Sequence, residues 1–438
     1  MPTIGILINH YDARNDIRDL VEEISRSHRV VLLSKEKTLA HPLPAGVELR
    51  PLVSVHQNKR KFWSKVFSWF GRLPKSRENY YINELFKLGR LTPLRQTLGK
   101  LKLSLQMWTP RFMSINQLLL IVAPCDSTNI SDIDSFLLIT EFADVPMLAR
   151  ICDSGKPAWA YLYSWDHPCK HTVLTDRLTG YLVWNKKLAK DMEELQGVSL
   201  DKCKIIGATQ LCPIVDYLAS TSTLPRQGRI EGRPYFYFGC GTGYAPISRR
   251  EIKLVAELAD LLSKEFPEHL LLVRPYPMFN DDSVLAEIKA KSNVRIDDEF
   301  RSFQVGRSLR PVDIHKRLDL QRGSACFIHV GTTMGYEAAF LGCPVVFINL
   351  IADSNTGGAR DTESLSTFAR QYHVQRYLVG NYPSSANNLS EAIDALKTAV
   401  SSPDRLIPYN DYVSSGTPLL PMAELTKDIL GQLLKNRR

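Results

Sequence analysis

The 438-residue sequence lacks any CxxC pair. Its eight cysteines, at 125, 152, 169, 203, 212, 240, 326 and 343, show neither the density of a disulfide framework nor metal-ligand spacing, which fits reduced thiols in a cytosolic protein. The opening MPTIGILINH has no basic-then-apolar leader, so no signal peptide is expected. Apolar runs such as residues 118–123 and 338–341 stop far short of the roughly 20 residues that span a bilayer. No acidic pair is placed to hold a metal: Asp281-Asp282 and Asp297-Asp298 read as exposed turn acids, and neither a metal nor a cofactor is expected. The opening strand-helix-strand pattern also lacks the GxGxxG dinucleotide fingerprint.

One stretch nearly lacks acids. Residues 55–116 hold thirteen Lys/Arg against Glu78 and Glu84, a balance of +11, so the rest of the +9 chain sums to −2. Within it, residues 59–77 interleave seven bases with Phe62, Trp63, Phe67, Trp69 and Phe70. Rings that bury in a headgroup layer, among charges that meet anionic lipid, suit an anionic membrane surface. A basic helical face folded onto the domain is the plainer alternative. No nucleic-acid module accompanies the stretch, and nucleic acid is not expected as a partner.

What is present is a repeated alternation of short apolar runs and helical periodicity. Residues 4–8, 30–33, 136–139, 158–162, 180–184 and 204–206 read as strands buried on both faces, with helices over 16–25, 146–152 and 186–196. A polar Ser/Thr/Pro/Gly/Arg stretch at 217–234 reads as a linker. A second series follows: strands at 235–238, 270–274, 326–329 and 344–348, helices at 249–266, 282–291 and 334–341, and closing helices near 390–401 and 422–436. The expected fold is α/β: two Rossmann-like domains facing each other across a cleft, with a basic helical insertion in the first. The expected boundaries are 1–220 with the insertion at 55–116, then 233–405, then a helical extension at 406–438 able to pack back on the N-terminal domain.

The chemistry concentrates where strands end. In residues 323–350, a strand leads through Gly331-Thr332-Thr333-Met334-Gly335 into a helix, and such a turn can hold a phosphate on backbone N–H groups and the Thr332 and Thr333 hydroxyls. Glu337 lies one helical turn on, at a spacing that reaches a ribose diol; a solvent-facing Glu on an ordinary helix is the bland alternative. Gly239-Cys240-Gly241-Thr242-Gly243 ends another strand and lets a diphosphate approach the backbone at Gly241 and Thr242. Arg274, before Pro275-Tyr276-Pro277, ends a third and suits bidentate phosphate contact. A catalytic base would project from a loop of the first half. Candidates are His10 and Asp12, Glu141 and Asp144, and Asp166 and His167, with Asp166 preferred and Asp12 second.

These segments carry a resemblance. Arg274-Pro275-Tyr276-Pro277 resembles the Arg-Pro-His-Pro loop of two-domain B-fold glycosyltransferases that build bacterial surface polysaccharides, lipopolysaccharide among them. The stretch from Thr332 through Glu337-Ala338 and Gly342-Cys343-Pro344 to Val346 resembles their Thr-Thr-x-x-x-Glu-Ala-x-x-x-Gly-x-Pro-Val-Val segment. Ser164-Trp165-Asp166 resembles their Ser-Trp-Asp-Asn, with His167 at the Asn position, and Gly207-Ala208-Thr209-Gln210 their Gly-x-Pro-Gln, with Thr209 at the Pro position. The resemblance covers most of 135–350 and implies metal-independent transfer of a sugar from a nucleotide sugar to a glycan or lipid-linked acceptor. Arg274, Thr332 and Thr333 would hold the donor phosphates and Glu337 the ribose, at the cytoplasmic face of the membrane as a peripheral protein. Sugar-nucleotide 2-epimerases of the same fold share a similar Glu-Ala segment and give the second reading; a non-catalytic glycan-binding or scaffold subunit is the third.

Overall fold

The computed structural model describes residues 1–9, 11–12, 14–70, 92–108, 113–139, 144–169, 174–221, 228–241, 245–276, 282–297, 311–349, 369, 374–375, 385–405 and 416–435. The chain forms two compact units, Met1–Cys212 with Gly416–Arg438, and Pro213–Ser415.

The first unit is a seven-stranded parallel sheet in the order β3-β2-β1-β4-β5-β6-β7. Its strands are β1 (Thr3–Leu7), β2 (Arg29–Ser34), β3 (Val47–Pro51), β4 (Ser135–Ile139), β5 (Ala158–Tyr161), β6 (Gly180–Val183) and β7 (Cys203–Ile205). Every residue of β1, β4, β5 and β6 is buried, because helices cover both sheet faces. Helix α1 (Asn15–Ser25) turns Ile17, Leu20, Val21 and Ile24 inward at helical spacing. Four further helices follow: α2 (Gln57–Phe70), α3 (Pro93–Trp108), α4 (Ile115–Val122) and α5 (Val145–Asp153). The Ser114 hydroxyl and the Gln117 side chain close a capping box on α4. Helix α6 (Lys186–Asp191) continues into a wider turn over Met192–Gln196. The basic insertion is thus helical in α2 and α3; residues 71–91 lie outside the described residues.

Helix α7 (Cys212–Thr221) leads into the second unit, a six-stranded parallel sheet in the order β10-β9-β8-β11-β12-β13. These are β8 (Tyr235–Gly239), β9 (Leu270–Arg274), β10 (Val294–Ile296), β11 (Cys326–His329), β12 (Val345–Ile348) and β13 (Ser385–Ala386). Its helices are α8 (Ala245–Glu265), α9 (Asp282–Lys289), α10 (Pro311–Gly323), α11 (Met334–Phe340) and α12 (Leu389–Ser401). The closing helix α13 (Met422–Leu434) belongs to the first unit, where Leu425, Ile429 and Leu433 pack toward α1 and β4.

From its own first strand the second sheet runs 3-2-1-4-5-6, the Rossmann order, and the first runs the same way with a seventh strand added beyond the sixth. Crossovers therefore leave in opposite directions from β1 and β4 in one sheet and from β8 and β11 in the other. At such a switch point the loops beyond the strand carboxyl ends splay apart and leave a ligand crevice. All eight cysteines are free thiols, and seven are buried. Among the described residues no helix is long and apolar enough to cross a membrane, and no cluster of His, Cys, Asp or Glu is arranged to hold a metal.

Candidate functional site

The three loops singled out in the second half end neighbouring strands. Gly239 of β8 stands opposite both Arg274 of β9 and His329 of β11, so the three carboxyl ends lie side by side across the switch point. The Cys240 N–H donates to the Arg274 carbonyl at 3.0 Å. A Cβ on Gly241 would sit 2.5 Å from the Gly331 carbonyl oxygen, so the loops after β8 and β11 touch backbone to backbone and only glycine fits there. The Gly241 N–H is engaged, donating to the buried Glu251 carboxylate of α8 at 2.8 Å. Thr242 lies outside the described residues.

Below the Gly-Thr-Thr turn sits His329, fully buried. Burial pushes its imidazole down to about 3, so the ring is neutral near pH 7. Its Nδ1 accepts the Thr332 N–H at 3.3 Å, which places the ring proton on Nε2. Gly331 adopts φ 142°, a value that glycine allows. The Gly335 and Tyr336 amides bond back to the Thr332 and Thr333 carbonyls, and the Met334 N–H reaches Thr332 Oγ1 at 3.4 Å. The first turn of α11 thus satisfies much of its own backbone, and Thr332 and Thr333 in it are half-buried. Glu337 is buried rather than solvent-facing, and its Oε2 lies 2.8 Å from Arg317 Nη1 of α10.

Arg274 is placed differently from a side chain waiting in solvent. Its guanidinium is only 4% exposed and donates to Asp297 Oδ2 at 2.5 Å; the Asp297 side chain is 2% exposed. The Tyr237 hydroxyl donates to the same oxygen at 2.5 Å, and burial pushes that phenol well above its usual value, so it stays protonated. Asp297, read from the sequence as an exposed turn acid, is therefore a buried counterion. Any phosphate that Arg274 meets must share the guanidinium with Asp297.

In the first unit the candidate bases all follow strand carboxyl ends. Asp12 accepts the N–H groups of Ala40 at 2.7 Å and His41 at 2.9 Å, with His41 Nδ1 3.0 Å away. Burial works to raise this carboxyl, but those bonds outweigh it and hold Asp12 below the usual carboxylate range. Asp144 caps α5 through the Met147 N–H and lies 3.2 Å from Lys35 Nζ. His167 is buried edge-on against Tyr163, ring centres 4.7 Å apart. Asp166 is half-buried and accepts from the Ser164 hydroxyl at 2.5 Å. His10 and Glu141 lie outside the described residues.

Sequence reasoning missed Arg14. Its guanidinium forms a fork on Asp16, with Nε and Nη2 at 2.9 and 2.7 Å, and stacks over the Tyr163 ring at 4.4 Å. Asp16 also accepts from Thr209 Oγ1 at 2.6 Å, and the Thr209 N–H donates to the Tyr161 hydroxyl at 2.8 Å. Burial would raise Asp16, but Arg14 and Thr209 hold it low and ionised. Thr209, where the resembling motif has proline, thus gains two hydrogen-bonding groups that proline lacks. This network fixes Arg14 beside the Ser164–Asp166 loop.

A cavity of about 370 Å³ in the second unit opens at the opposite, amino edge of the sheet, lined in part by Arg229, His269, Arg322, Ser324 and Cys343. It shares no residue with the strand-end loops.

No family model and no curated protein matches the sequence. Solved structures similar to the chain include a UDP-N-acetylglucosamine 2-epimerase from Rickettsia bellii, 12% identical over 100% of this chain and 97% of that one, TM-score 0.46. The wall teichoic acid polymerase TagF is 10% identical over 100% of this chain and 90% of its own, TM-score 0.46. WaaG, a glycosyltransferase involved in lipopolysaccharide biosynthesis, is 10% identical over 98% and 99%, TM-score 0.44. Likenesses of this strength decide nothing about activity; the assignment of two Rossmann-like α/β units rests on the two parallel sheet orders themselves.

Proposed function

We propose that the chain is a glycosyltransferase that binds a nucleotide sugar at the carboxyl edge of the second sheet and passes the sugar to a lipid-linked or growing surface-polysaccharide acceptor. The observation that carries this reading is the meeting of the β8 and β11 loops at a switch point, where Gly241 is backed on Gly331 and the Thr332 and Thr333 hydroxyls lie alongside. The two hydroxyls would hold the diphosphate. Glu337, oriented by Arg317, would accept the ribose hydroxyls. Arg274, shared with Asp297, would supply fixed positive charge behind the phosphates in a site that needs no metal.

On the acceptor side, Asp166 is the proposed base, since the Asp12 carboxylate already accepts two backbone N–H groups. The acceptor oxygen would attack the anomeric carbon and give its proton to Asp166. The bond from that carbon to the diphosphate oxygen would break, and the electron pair would leave with the nucleotide. The place of action is the cytoplasmic face of the membrane, with the basic insertion toward anionic lipid.

A thermal-shift panel of UDP-, GDP-, dTDP- and CMP-sugars tests donor binding. One donor at 100 times its dissociation constant is expected to add about 2.7 kcal/mol of stability, and the Thr332→Ala/Thr333→Ala pair is expected to remove most of that shift. Incubation of that donor without acceptor separates the chemistries. Transfer predicts an unchanged sugar, whereas conversion to its 2-epimer would identify an epimerase instead.

A further inference from the structure

The insertion leaves more than charge on the surface. On α3, Leu94, Leu98 and Leu101 fall at i, i+4 and i+7, so they share one face, and they are 72%, 58% and 57% exposed. On α2, Phe62 and Trp69 are seven residues apart, share a face in the same way and are both exposed. Neither helix contains an Asp or Glu, and Lys59, Lys61, Lys65, Arg95 and Lys100 are exposed on them. The two helices touch each other, and α2 packs on α4. Arg60 of α2 lies 3.8 Å from Asp144, the residue that Lys35 also approaches. Lys35 follows β2 and Asp144 follows β4, so this contact ties α2 to the carboxyl edge of the first sheet, the edge that carries Asp12 and Asp166.

We propose that α2 and α3 form one membrane-lying platform, in which the α3 leucine row and the α2 aromatics enter the acyl boundary of an anionic bilayer while the flanking bases meet its headgroups. This deepens the membrane-facing part of the function proposed above by naming α3 as the apolar half and Arg60–Asp144 as its link to the acceptor edge. Charge alone would serve any polyanion. A row of exposed leucines beside exposed bases, on helices whose own sequences hold no acid, is complementary to lipid, because a nucleic acid offers no aliphatic layer to receive it.

The test is sedimentation of the full chain with sucrose-loaded vesicles of phosphatidylcholine alone or with 30% phosphatidylglycerol, without donor or acceptor, so that its outcome is independent of sugar transfer. The wild type is expected to bind only the anionic vesicles. Leu94→Gln/Leu98→Gln/Leu101→Gln should weaken that binding by at least about tenfold, since each leucine transfer is lost. Lys59→Gln/Lys61→Gln/Lys65→Gln should weaken it by about tenfold or more and flatten its salt dependence. These side chains are exposed, and circular dichroism should show both variants folded. Independently, lipids brominated near the headgroup should quench tryptophan emission of the bound wild type, as expected for Trp69 at the boundary. Three outcomes overturn the proposal: equal binding to neutral vesicles, no binding, or single-stranded RNA binding that the leucine variant leaves intact. A concentration-dependent dimer that the leucine variant abolishes would overturn it too, by assigning the row to a second copy of the chain.

Discussion

Replacing Arg274 with Met is expected to lower the unfolding free energy of the second unit by about 3–5 kcal/mol, the cost of leaving one member of a buried ion pair without its partner. Asp297 would then be a buried carboxylate that has lost its guanidinium, though it still accepts from the Tyr237 hydroxyl. The double variant Arg274→Met/Asp297→Leu should recover much of that loss, because it removes both charges together. Tyr237→Phe alone should cost less, about 1.5–3 kcal/mol, the range for a hydrogen bond to a charged group. Urea unfolding of the four proteins measures all of this. If Arg274→Met unfolds at the wild-type midpoint, the guanidinium is not the buried partner of Asp297. The result also governs how activity is read: an inactive Arg274 variant shows a broken support under the strand end before it shows a lost phosphate contact. The Thr332 and Thr333 substitutions, on half-buried side chains, are the cleaner probe of phosphate binding.

The second large effect is an acid sensitivity seated at His329. Its folded value of about 3 lies well below the 6.5 of a free imidazole, so between these limits the unfolded chain binds a proton that the folded chain refuses. The His329 contribution to stability is therefore fully present above pH 6.5 and falls as pH drops through that value, by about 2 kcal/mol between pH 7 and 5. The depressed Asp12 and Asp16 add their losses only at lower pH, because their stabilisation is present above the free carboxylate value and disappears as pH falls through the folded one. His329→Asn keeps an acceptor for the Thr332 N–H and removes the titration. Its midpoint should change less than the wild type's between pH 7 and 5, whereas parallel losses would show that His329 is not held neutral.

The strands at the sheet centres were legible because parallel strands covered on both faces spell unbroken apolar runs: residues 4–8 led to β1, 136–139 to β4 and 326–329 to β11. The edges were not. β3, Val-Glu-Leu-Arg-Pro, is half-buried throughout, and β10 and β13 have three and two residues, so none of them writes an apolar run. Helix α10 was missed because Val312, Ile314, Leu318 and Leu320 do not fall on one helical stripe. At the candidate site the loops were readable from Gly and Thr at strand ends, since turn chemistry is local. The partners of the charges were not: Arg274 meets Asp297 across 23 residues, and Asp16 meets Thr209 across 193. Only the fold brings such pairs together, and a local reading that sees Asp-Asp after a strand assigns it to solvent.

The most direct test of nucleotide-sugar binding is hydrogen–deuterium exchange on the full chain, with and without a saturating amount of the donor that gives the largest thermal shift. Slowed exchange is predicted at the amides of 239–241 and 329–337, which end β8, end β11 and open α11. Protection confined to the amino-edge cavity around Arg229 and Ser324, with those amides unchanged, would contradict the placement of the donor.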